Sequence, residues 1–264
     1  MCGRYKLTTT VAELAAQFGA ELDPRLEGQR PRFNVAPTDV MPVLRMVDGH
    51  RLLQPLRWGL VPFWARDLRI GSTMINARSE TLFEKPAFRD ALHKRRCLVV
   101  VDGVYEWQTT GGTKTPQLIA FGDGRPFTLA GLWARWKGEP GEIESFTIVT
   151  TEANEALRGL HDRMPVLVDE RDREEWLDPD NATVDLERLS GARPWPGVTV
   201  RAVSRRLGNV KNDDEALLVE DPATGGDDLA DDGEGPATKK KARKKASATT
   251  TAKKAAKKPQ GSLF

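Results

Sequence analysis

The amino-acid sequence predicts an α+β fold in which a β-rich, barrel-like antiparallel core carries a few flanking helices. Short apolar runs are separated by turns that contain Gly or Asp, which is typical of antiparallel strands. Helical patterns are few, and the regular strand–helix alternation of a parallel sheet is missing. Of the 264 residues, the first 220 or so are enough for one domain with a sizeable core.

The first half of the chain predicts two helices and two strands. Residues 10–20 have the spacing of a short amphipathic helix, which one of the threonines at 8–10 caps and Gly19 ends. A strand is predicted within 33–47, and Asp-Gly-His after it predicts a hairpin turn into the next strand. Residues 79–92 begin like a capped helix that Pro86 interrupts.

The second half predicts mainly strands. The clearest is 97–107, an apolar run with a turn-forming Asp-Gly pair inside it. Further strands are predicted at 116–121, 127–136, 144–153, 164–169 and 198–204. Helices are predicted at 152–160, ending near Gly159, and at 171–178.

The small net charge of +2 hides a division of the chain into three parts. Residues 1–220 have a net charge of −2, residues 221–236 carry six acidic and no basic residues, and residues 237–264 carry ten basic and no acidic residues. The last two parts have few large apolar residues, so we expect an acidic disordered spacer and a basic disordered tail. The tail is either a solubilising segment or, as we favour, an electrostatic tether to DNA.

Several classes of protein are disfavoured by the sequence. It has no apolar run of transmembrane length and no signal-peptide pattern, so we expect a cytoplasmic protein without a membrane partner. The three histidines are scattered and the two cysteines lack metal-ligand spacing, so no metal is expected. Glycine-rich nucleotide motifs are missing, and we expect no cofactor.

Cys2 is the first candidate for chemistry. Because cysteine is small, removal of the initiator methionine would leave a thiol and a free α-amine on adjacent carbons. The amine has an ordinary pKa near 8 and is partly unprotonated at neutral pH. Such a 1,2-aminothiol condenses with an aldehyde to an imine, on which the thiol closes to give a thiazolidine. The alternative is a small buried cysteine without chemistry.

Two further candidates are side chains that can transfer protons. Glu106 ends an apolar strand among aromatic residues, where desolvation suits a general acid or base, although a solvent-facing strand glutamate is an equal alternative. His161 follows a predicted helix end and is a candidate proton shuttle, or a structural loop histidine. Asn76 and Arg78 precede a helix, where they could hold a phosphate or a carbonyl, or simply form the turn.

Six segments resemble, in the same order, those of the SRAP (SOS-response-associated peptidase) family. They are MCGRY at the N-terminus, RFNVAPT (32–38), WGLVPFW (58–64), NARSET (76–81), GVYEW (103–107) and GLHDRMPV (159–166). The resemblance covers roughly residues 2–210. It implies a single α+β domain with a barrel-like core, which recognises abasic sites in single-stranded DNA and cross-links to the ring-opened aldehyde.

The resemblance also implies a role for each matching residue. Cys2 is the nucleophile, Asn76 holds the amine or the sugar, Glu106 is the acid/base, and His161 contacts the sugar oxygen and assists ring opening. The implied DNA contacts are Arg4 and Arg78 at phosphates, and Trp107, Met164 and Pro165 near the bases. We expect a nucleoid-associated monomer.

Three other functions stay open from the sequence. Cys2 could be the nucleophile of an amidohydrolase with an N-terminal cysteine, or of a peptidase. The chain could also bind DNA without any chemistry. An amidohydrolase would hydrolyse glutamine without DNA, and a peptidase would cleave a peptide substrate. A protein that only binds DNA would bind abasic DNA equally well with Cys2→Ala.

The last five residues of the chain resemble a short peptide that binds the bacterial sliding clamp. The pattern has Gln260 at its start and the apolar pair Leu263 and Phe264 at its end. Two large apolar side chains at the end of a polar tail are poorly explained as core. We therefore predict the replicative clamp as a second partner.

Overall fold

The computed structural model describes residues 2–139, 141–181 and 184–221, which lie within one compact unit. The predicted acidic spacer, the basic tail and the clamp-binding residues Gln260, Leu263 and Phe264 fall outside the described residues, apart from Asp221. Their boundaries therefore stay predictions.

Thirteen strands are described. They are β1 (Arg4–Leu7), β2 (Glu21–Leu22), β3 (Arg32–Val35), β4 (Val40–Val47), β5 (His50–Trp58), β6 (Asn76–Arg78), β7 (Arg96–Val101), β8 (Gly103–Thr110), β9 (Thr113–Phe121), β10 (Phe127–Gly138), β11 (Gly141–Glu152), β12 (Arg163–Pro165) and β13 (Val198–Ala202). The described α-helices are α1 (Val11–Phe18), α2 (Pro86–Lys94), α3 (Arg173–Leu177) and α4 (Leu186–Ser190). Short 3₁₀ turns lie between them, among them Ser79–Thr81 and Arg205–Gly208.

The predicted β-rich, barrel-like α+β fold is confirmed. Five strands close a ring, because β11 pairs with β10, then β7, β4 and β5 follow in order, and β5 pairs back with β11. A second sheet has the order β13-β9-β8-β1-β3 and is antiparallel throughout. The main hydrophobic cluster draws residues from both sheets, which fixes the N-terminal strand against the barrel.

The strand predicted at 97–107 is in fact two strands in different sheets. β7 belongs to the barrel and β8 to the second sheet, and the chain passes between them at Asp102. The side chain of Asp102 accepts hydrogen bonds from the backbone N–H groups and hydroxyls of Thr8 and Thr9, at 2.5 to 2.9 Å. This buried carboxylate ties the chain after β1 to the crossing point.

Local signals explain the predicted ends that were right. Thr10 caps α1 with Glu13 in a reciprocal capping box, and Gly19 ends the helix with φ 57°. The β4–β5 hairpin turns at Asp48 and Gly49, which both have positive φ, as a tight two-residue turn requires.

The helix predicted at 152–160 is wrong. β11 extends through Glu152, so a shorter segment than predicted is left outside the strand, and its residues 155–160 form turns. The helix predicted at 79–92 is also shorter than expected. A 3₁₀ turn occupies Ser79–Thr81, and the α-helix begins at Pro86, whose missing N–H is harmless at a first helical position.

Candidate functional site

The N-terminal strand places Cys2 inside the protein. β1 pairs with β8 so that Arg4 lies opposite Tyr105 and Tyr5 opposite Val104. Cys2 comes just before β1 and is fully buried, with its thiol 4.0 Å from the carbonyl oxygen of Arg4. Cys2 therefore lies in the core although it is the second residue of the chain, and its small side chain fits there.

The negative charge of Glu106 acts on the thiol of Cys2. Side chains alternate along β8, so Glu106 shares the inner face of Val104, and its own exposed fraction is 6%. Burial raises the pKa of the Cys2 thiol well above its usual value, and the negative charge of Glu106 raises it further. The thiol therefore stays protonated at neutral pH.

Asn76 holds the backbone of Cys2 directly. Its side-chain Nδ2 donates a hydrogen bond of 2.7 Å to the carbonyl oxygen of Cys2. β6 carries Asn76 and pairs with the barrel strand β11, where Asn76 lies opposite Ile148. The Oδ1 atom of Asn76 is buried and has no hydrogen-bond partner within the described chain. It can therefore accept a hydrogen bond from a ligand, or from the α-amine of Cys2 once Met1 is removed.

His161 lies on the other flank of β11, just before β12. Its Nδ1 accepts the backbone N–H of Arg163 at 2.9 Å and is also 2.6 Å from a carboxylate oxygen of Asp162. The first contact needs Nδ1 without a proton and the second needs a proton there, so they compete. About a third of the side chain is exposed, which leaves the ring open to a ligand.

An ion pair joins the segments that carry Asn76 and His161. The guanidinium of Arg163 binds both carboxylate oxygens of Glu80, at 2.7 and 2.9 Å, and also the carbonyl oxygen of Thr150. β6 and β12 both pair with β11, and Thr150 is the strand partner of both Arg78 and Pro165. Neither Glu80 nor Arg163 was singled out from the sequence, because their pairing depends on the fold.

The predicted DNA contacts differ in their placement. Arg78 is exposed and lines an open cavity of about 500 Å³ with Arg158, Arg163 and the acids Glu152 and Asp162. Because the Arg163 guanidinium is paired with Glu80, the exposed arginines on this surface are Arg78 and Arg158.

Arg4 and Trp107 lie on the outer face of the second sheet, away from Glu106. Arg4 donates hydrogen bonds to Asn34 and to the carbonyl of Leu207, at 2.9 and 3.0 Å, and desolvation lowers its pKa. Trp107 packs against the small cluster that includes Tyr105 and Leu207. Contact of these two residues with DNA stays a prediction.

Met164 and Pro165 are buried, and Met164 belongs to the main core. The sulfur of Met164 accepts the backbone N–H of Asn154 at 3.4 Å. Their predicted contact with bases is not supported by this burial. Their placement favours a role in holding the strand that follows His161.

The described residues contain no group of three or more His, Cys, Asp or Glu side chains arranged to hold a metal ion. Within the same residues, no helix combines the length and apolar character that crossing a membrane requires.

The fold and the site define a β-barrel protein in which the second residue is a buried cysteine, held by an asparagine and flanked by a glutamate. The chain belongs to the SRAP family, described as SOS response associated peptidase, which matches residues 1–210.

Relatives of the chain cover most of its length. It is 38% identical over 222 residues to abasic site processing protein YoaM of Bacillus subtilis, which covers 83% of this chain and 97% of the relative. It is 30% identical over 226 residues to abasic site processing protein YedK of Escherichia coli, with 83% and 99% covered. A crystal structure of a Bacteroides thetaiotaomicron protein matches with a TM-score of 0.76 and 27% identity, over 84% of this chain and 100% of that one.

Proposed function

We propose that this protein processes abasic sites by binding single-stranded DNA and forming a covalent thiazolidine between Cys2 and the ring-opened abasic-site aldehyde. One observation carries the proposal. Three residues far apart in sequence converge, since Asn76 binds the Cys2 carbonyl and the charge of Glu106 acts on the Cys2 thiol. The names of the relatives, which are abasic site processing proteins, support the same substrate.

The chemistry requires removal of Met1, which frees the α-amine of Cys2. The amine attacks the aldehyde carbon and loses one water to give an imine. The thiol sulfur then adds to the imine carbon, its proton moves to the nitrogen, and the five-membered ring closes. Overall, one C–N and one C–S bond form and one water leaves.

The surrounding side chains supply proton transfer and position. In this proposal Glu106 accepts the thiol proton and passes it to the imine nitrogen, because the raised pKa of Cys2 keeps the thiol protonated at neutral pH. Asn76 fixes the Cys2 carbonyl, and its Oδ1 accepts a hydrogen bond from an N–H of the new amine. His161, partly exposed, assists opening of the sugar ring and reversal of the cross-link. Arg78 and its neighbours bind the phosphates.

Intact mass spectrometry tests the proposal in one measurement. The purified protein should have lost Met1, and incubation with abasic single-stranded DNA should add the mass of the strand less one water. Cys2→Ala should abolish the heat-stable adduct, whereas Cys97→Ala, at the other buried cysteine, should retain it. Cys2→Ala and Cys2→Ser both keep the α-amine but lack the thiol, so each should give at most a labile imine. A heat-stable adduct with Cys2→Ala would contradict the mechanism.

The alternative is hydrolysis by an N-terminal nucleophile, either an amidohydrolase or a peptidase. The same Cys2 amine would act as base and the thiol would attack an amide. Hydrolysis of glutamine or of a peptide in the absence of DNA, lost in Cys2→Ala, would support it.

The proposal for the C-terminal segments rests on sequence. Residues 221–236 are a spacer, residues 237–264 tether the monomeric domain to DNA in the nucleoid, and Gln260, Leu263 and Phe264 bind the sliding clamp. A pull-down with the replicative clamp should retain the wild-type chain and lose Phe264→Ala. Equal retention of both would remove the clamp from the proposal.

A further inference from the structure

The two tyrosines of the chain lie on opposite faces of the second sheet. Tyr5, on β1, is paired with Val104 of β8 and belongs to the main core, whereas Tyr105 belongs to the outer cluster. Tyr105 donates its hydroxyl to the carbonyl oxygen of Phe33 at 2.8 Å. Tyr5 is fully buried, and its hydroxyl has no hydrogen-bond partner within the described residues. A buried donor without an acceptor costs free energy, so its presence calls for an explanation.

Tyr5 shares the inner face of the sheet with the residues proposed for the cross-link. Because side chains alternate along β8, Glu106 projects from the same face as Val104 and therefore as Tyr5. Cys2 lies in the same hydrophobic cluster as Tyr5. Burial raises the pKa of Tyr5 well above its usual value, and a negative charge on Cys2 raises it further. The Tyr5 hydroxyl is therefore within electrostatic range of the Cys2 sulfur.

The ring of Tyr5 is held in place by Trp58. The two ring centroids are 5.1 Å apart, and Trp58 itself stacks on Phe146 with an interplanar angle of 8°. The indole N–H of Trp58 donates a hydrogen bond of 3.0 Å to the carbonyl oxygen of Ile75, the residue before Asn76. One buried tryptophan thus contacts the Tyr5 ring and holds the segment that carries Asn76.

Ionisation of the Cys2 thiol is opposed by its surroundings. Burial disfavours the charged sulfur, and the negative charge of Glu106 opposes it as well. The thiol contacts the carbonyl oxygen of Arg4, which accepts hydrogen bonds and cannot donate one. The positive N-terminus favours ionisation, but the proposed reaction turns the amine of Cys2 into an imine. A hydrogen-bond donor to the sulfur would offset the two unfavourable effects.

A second acidic group near Tyr5 is already occupied. The charges of Asp39 and Arg32 also act on Tyr5. The carboxylate of Asp39 accepts hydrogen bonds from the guanidinium of Arg32 at 2.7 Å and from the backbone N–H of Ala36 at 3.0 Å, and the Tyr5 hydroxyl does not bond to it. Cys2 is therefore the neighbour that becomes a stronger acceptor during the reaction, because its sulfur gains a negative charge.

We infer that the Tyr5 hydroxyl donates a hydrogen bond to the Cys2 sulfur as Glu106 removes its proton, and so stabilises the thiolate that closes the thiazolidine. The inference rests on the proposed function and adds a residue to that site. Tyr5 keeps its own proton, the thiol proton passes through Glu106 to the imine nitrogen, and an electron pair of the sulfur forms the C–S bond. Because the hydrogen bond forms only with the charged sulfur, it lowers the barrier without stabilising the resting protein.

Tyr5→Phe and Tyr105→Phe are a matched pair of variants. Tyr5→Phe removes a hydroxyl without a partner in the resting protein, so the melting temperature should stay equal or rise. The single-turnover rate of the cross-link should nevertheless fall at least about tenfold. Tyr105→Phe loses its bond to Phe33 and should lower the melting temperature but leave that rate unchanged. A lower melting temperature with Tyr5→Phe, or an unchanged rate, would overturn the inference.

Alkylation by iodoacetamide tests the thiolate without DNA. Loss of the donor raises the pKa of the Cys2 thiol, so less thiolate is present at a given pH and Cys2 of Tyr5→Phe should react at least about tenfold more slowly. The curve of log rate against pH should be displaced by about one unit to higher pH. Cys97, on the barrel strand β7, should react as in the wild type. An unchanged rate at Cys2, or faster alkylation of both cysteines, would overturn the inference, whereas failure of the wild type to cross-link abasic DNA would contradict the proposed function instead.

A stronger donor at the same position gives the opposite expectation. Tyr105→Phe leaves Tyr5 as the single tyrosine of the chain, so 3-fluorotyrosine supplied during expression replaces Tyr5 alone. Fluorine makes the phenol more acidic and a better hydrogen-bond donor. Cys2 should therefore be alkylated faster in the fluorinated protein than in Tyr105→Phe with ordinary tyrosine. An equal or slower rate would overturn the inference.

Discussion

The side-chain amide of Asn76 donates a hydrogen bond of 2.7 Å to the backbone carbonyl of Cys2, across 74 positions of sequence. The bond connects the barrel, through β6 and β11, to the residue that precedes the first strand of the second sheet. The position of Cys2 therefore depends on an amide that the barrel holds in place.

Asn76→Ala should slow the cross-link about fivefold. It removes one hydrogen bond, worth about 1 kcal/mol, and leaves the Cys2 carbonyl in a buried place without its donor. A free-energy change of about 1 kcal/mol in the transition state corresponds to about a fivefold change in rate. The single-turnover rate with an abasic strand measures it. Thr73→Ala, at an exposed residue nearby, is the control and should react like the wild type.

Glu106→Gln should have opposite effects on alkylation and on cross-linking. Because the Glu106 charge helps to raise the pKa of Cys2, its removal lowers that pKa, and more thiolate is present at any pH below it. Alkylation of Cys2 by iodoacetamide should become faster. Cross-linking should become slower, since the group that accepts the thiol proton is lost.

Cys97 is an internal control for the alkylation experiment. It is also fully buried, and burial raises its pKa, but Glu106 is not among the charges that act on it. Peptide mapping by mass spectrometry reports both cysteines in one sample. Faster alkylation of both would indicate loosening of the fold, and an unchanged rate at Cys2 would contradict the assigned effect of Glu106.

Glu80→Gln should act through His161. The Glu80–Arg163 pair fixes the residue whose backbone N–H binds the His161 ring, so its loss should lower the rates of cross-link formation and reversal. If Glu80 acts through His161, Glu80→Gln should cause little further loss of rate in a protein that already carries His161→Ala. A double-mutant cycle measures this difference. Glu84→Gln, at an exposed glutamate on the same segment, is the matched control. Independent, additive effects would refute the coupling.

The sequence could predict those features that depend on local chemistry. The capping box of Thr10 and Glu13 and the turn at Asp48 and Gly49 are decided by neighbouring residues, and both α1 and the β4–β5 hairpin follow from them. The helix predicted over 152–160 failed because the strand pairing of β11 extends through Glu152, and pairing with distant strands is not visible in the local sequence.

The site depended on tertiary structure that no local pattern reveals. Glu106 and Trp107 are neighbours in sequence, yet alternation along β8 sends one to Cys2 and the other to the outer cluster. The Asp-Gly pair predicts the turn at Asp102, but it does not predict that the buried carboxylate binds Thr8 and Thr9. The acceptors and donors of such pairs are distant in the chain, so only the fold could identify them.

Asp102→Ala should reduce the free energy of unfolding by about 3 kcal/mol. It removes the acceptor of four hydrogen bonds from Thr8 and Thr9 in a place that is 2% exposed, and buried donors left without an acceptor cost about 1–3 kcal/mol each before relaxation. Urea unfolding measures the change. Asp90→Ala, at an exposed residue of α2, should change the value by less than about 0.5 kcal/mol. A similar small change for Asp102→Ala would show that its hydrogen bonds are readily replaced by water.

Deletion of residues 237–258 should make DNA binding less sensitive to salt. This segment carries the ten basic residues of the tail and ends before Gln260, so the predicted clamp-binding residues are kept. For single strands, each phosphate neutralised contributes about 0.7 to the slope of log affinity against log salt concentration. Engagement of half of these charges would therefore change the slope by about 3.5. The difference is measured by titrating an unmodified strand at several salt concentrations. Both the complete and the shortened chain carry Cys2→Ala, which excludes cross-linking.

Deletion of the acidic residues 222–236 is the counterpart and should raise the affinity, because it removes charge that repels the strand. Equal slopes for the complete and shortened chains would mean that the tail stays away from the DNA, which would leave exposed arginines of the domain, such as Arg78 and Arg158, as the source of the electrostatic attraction.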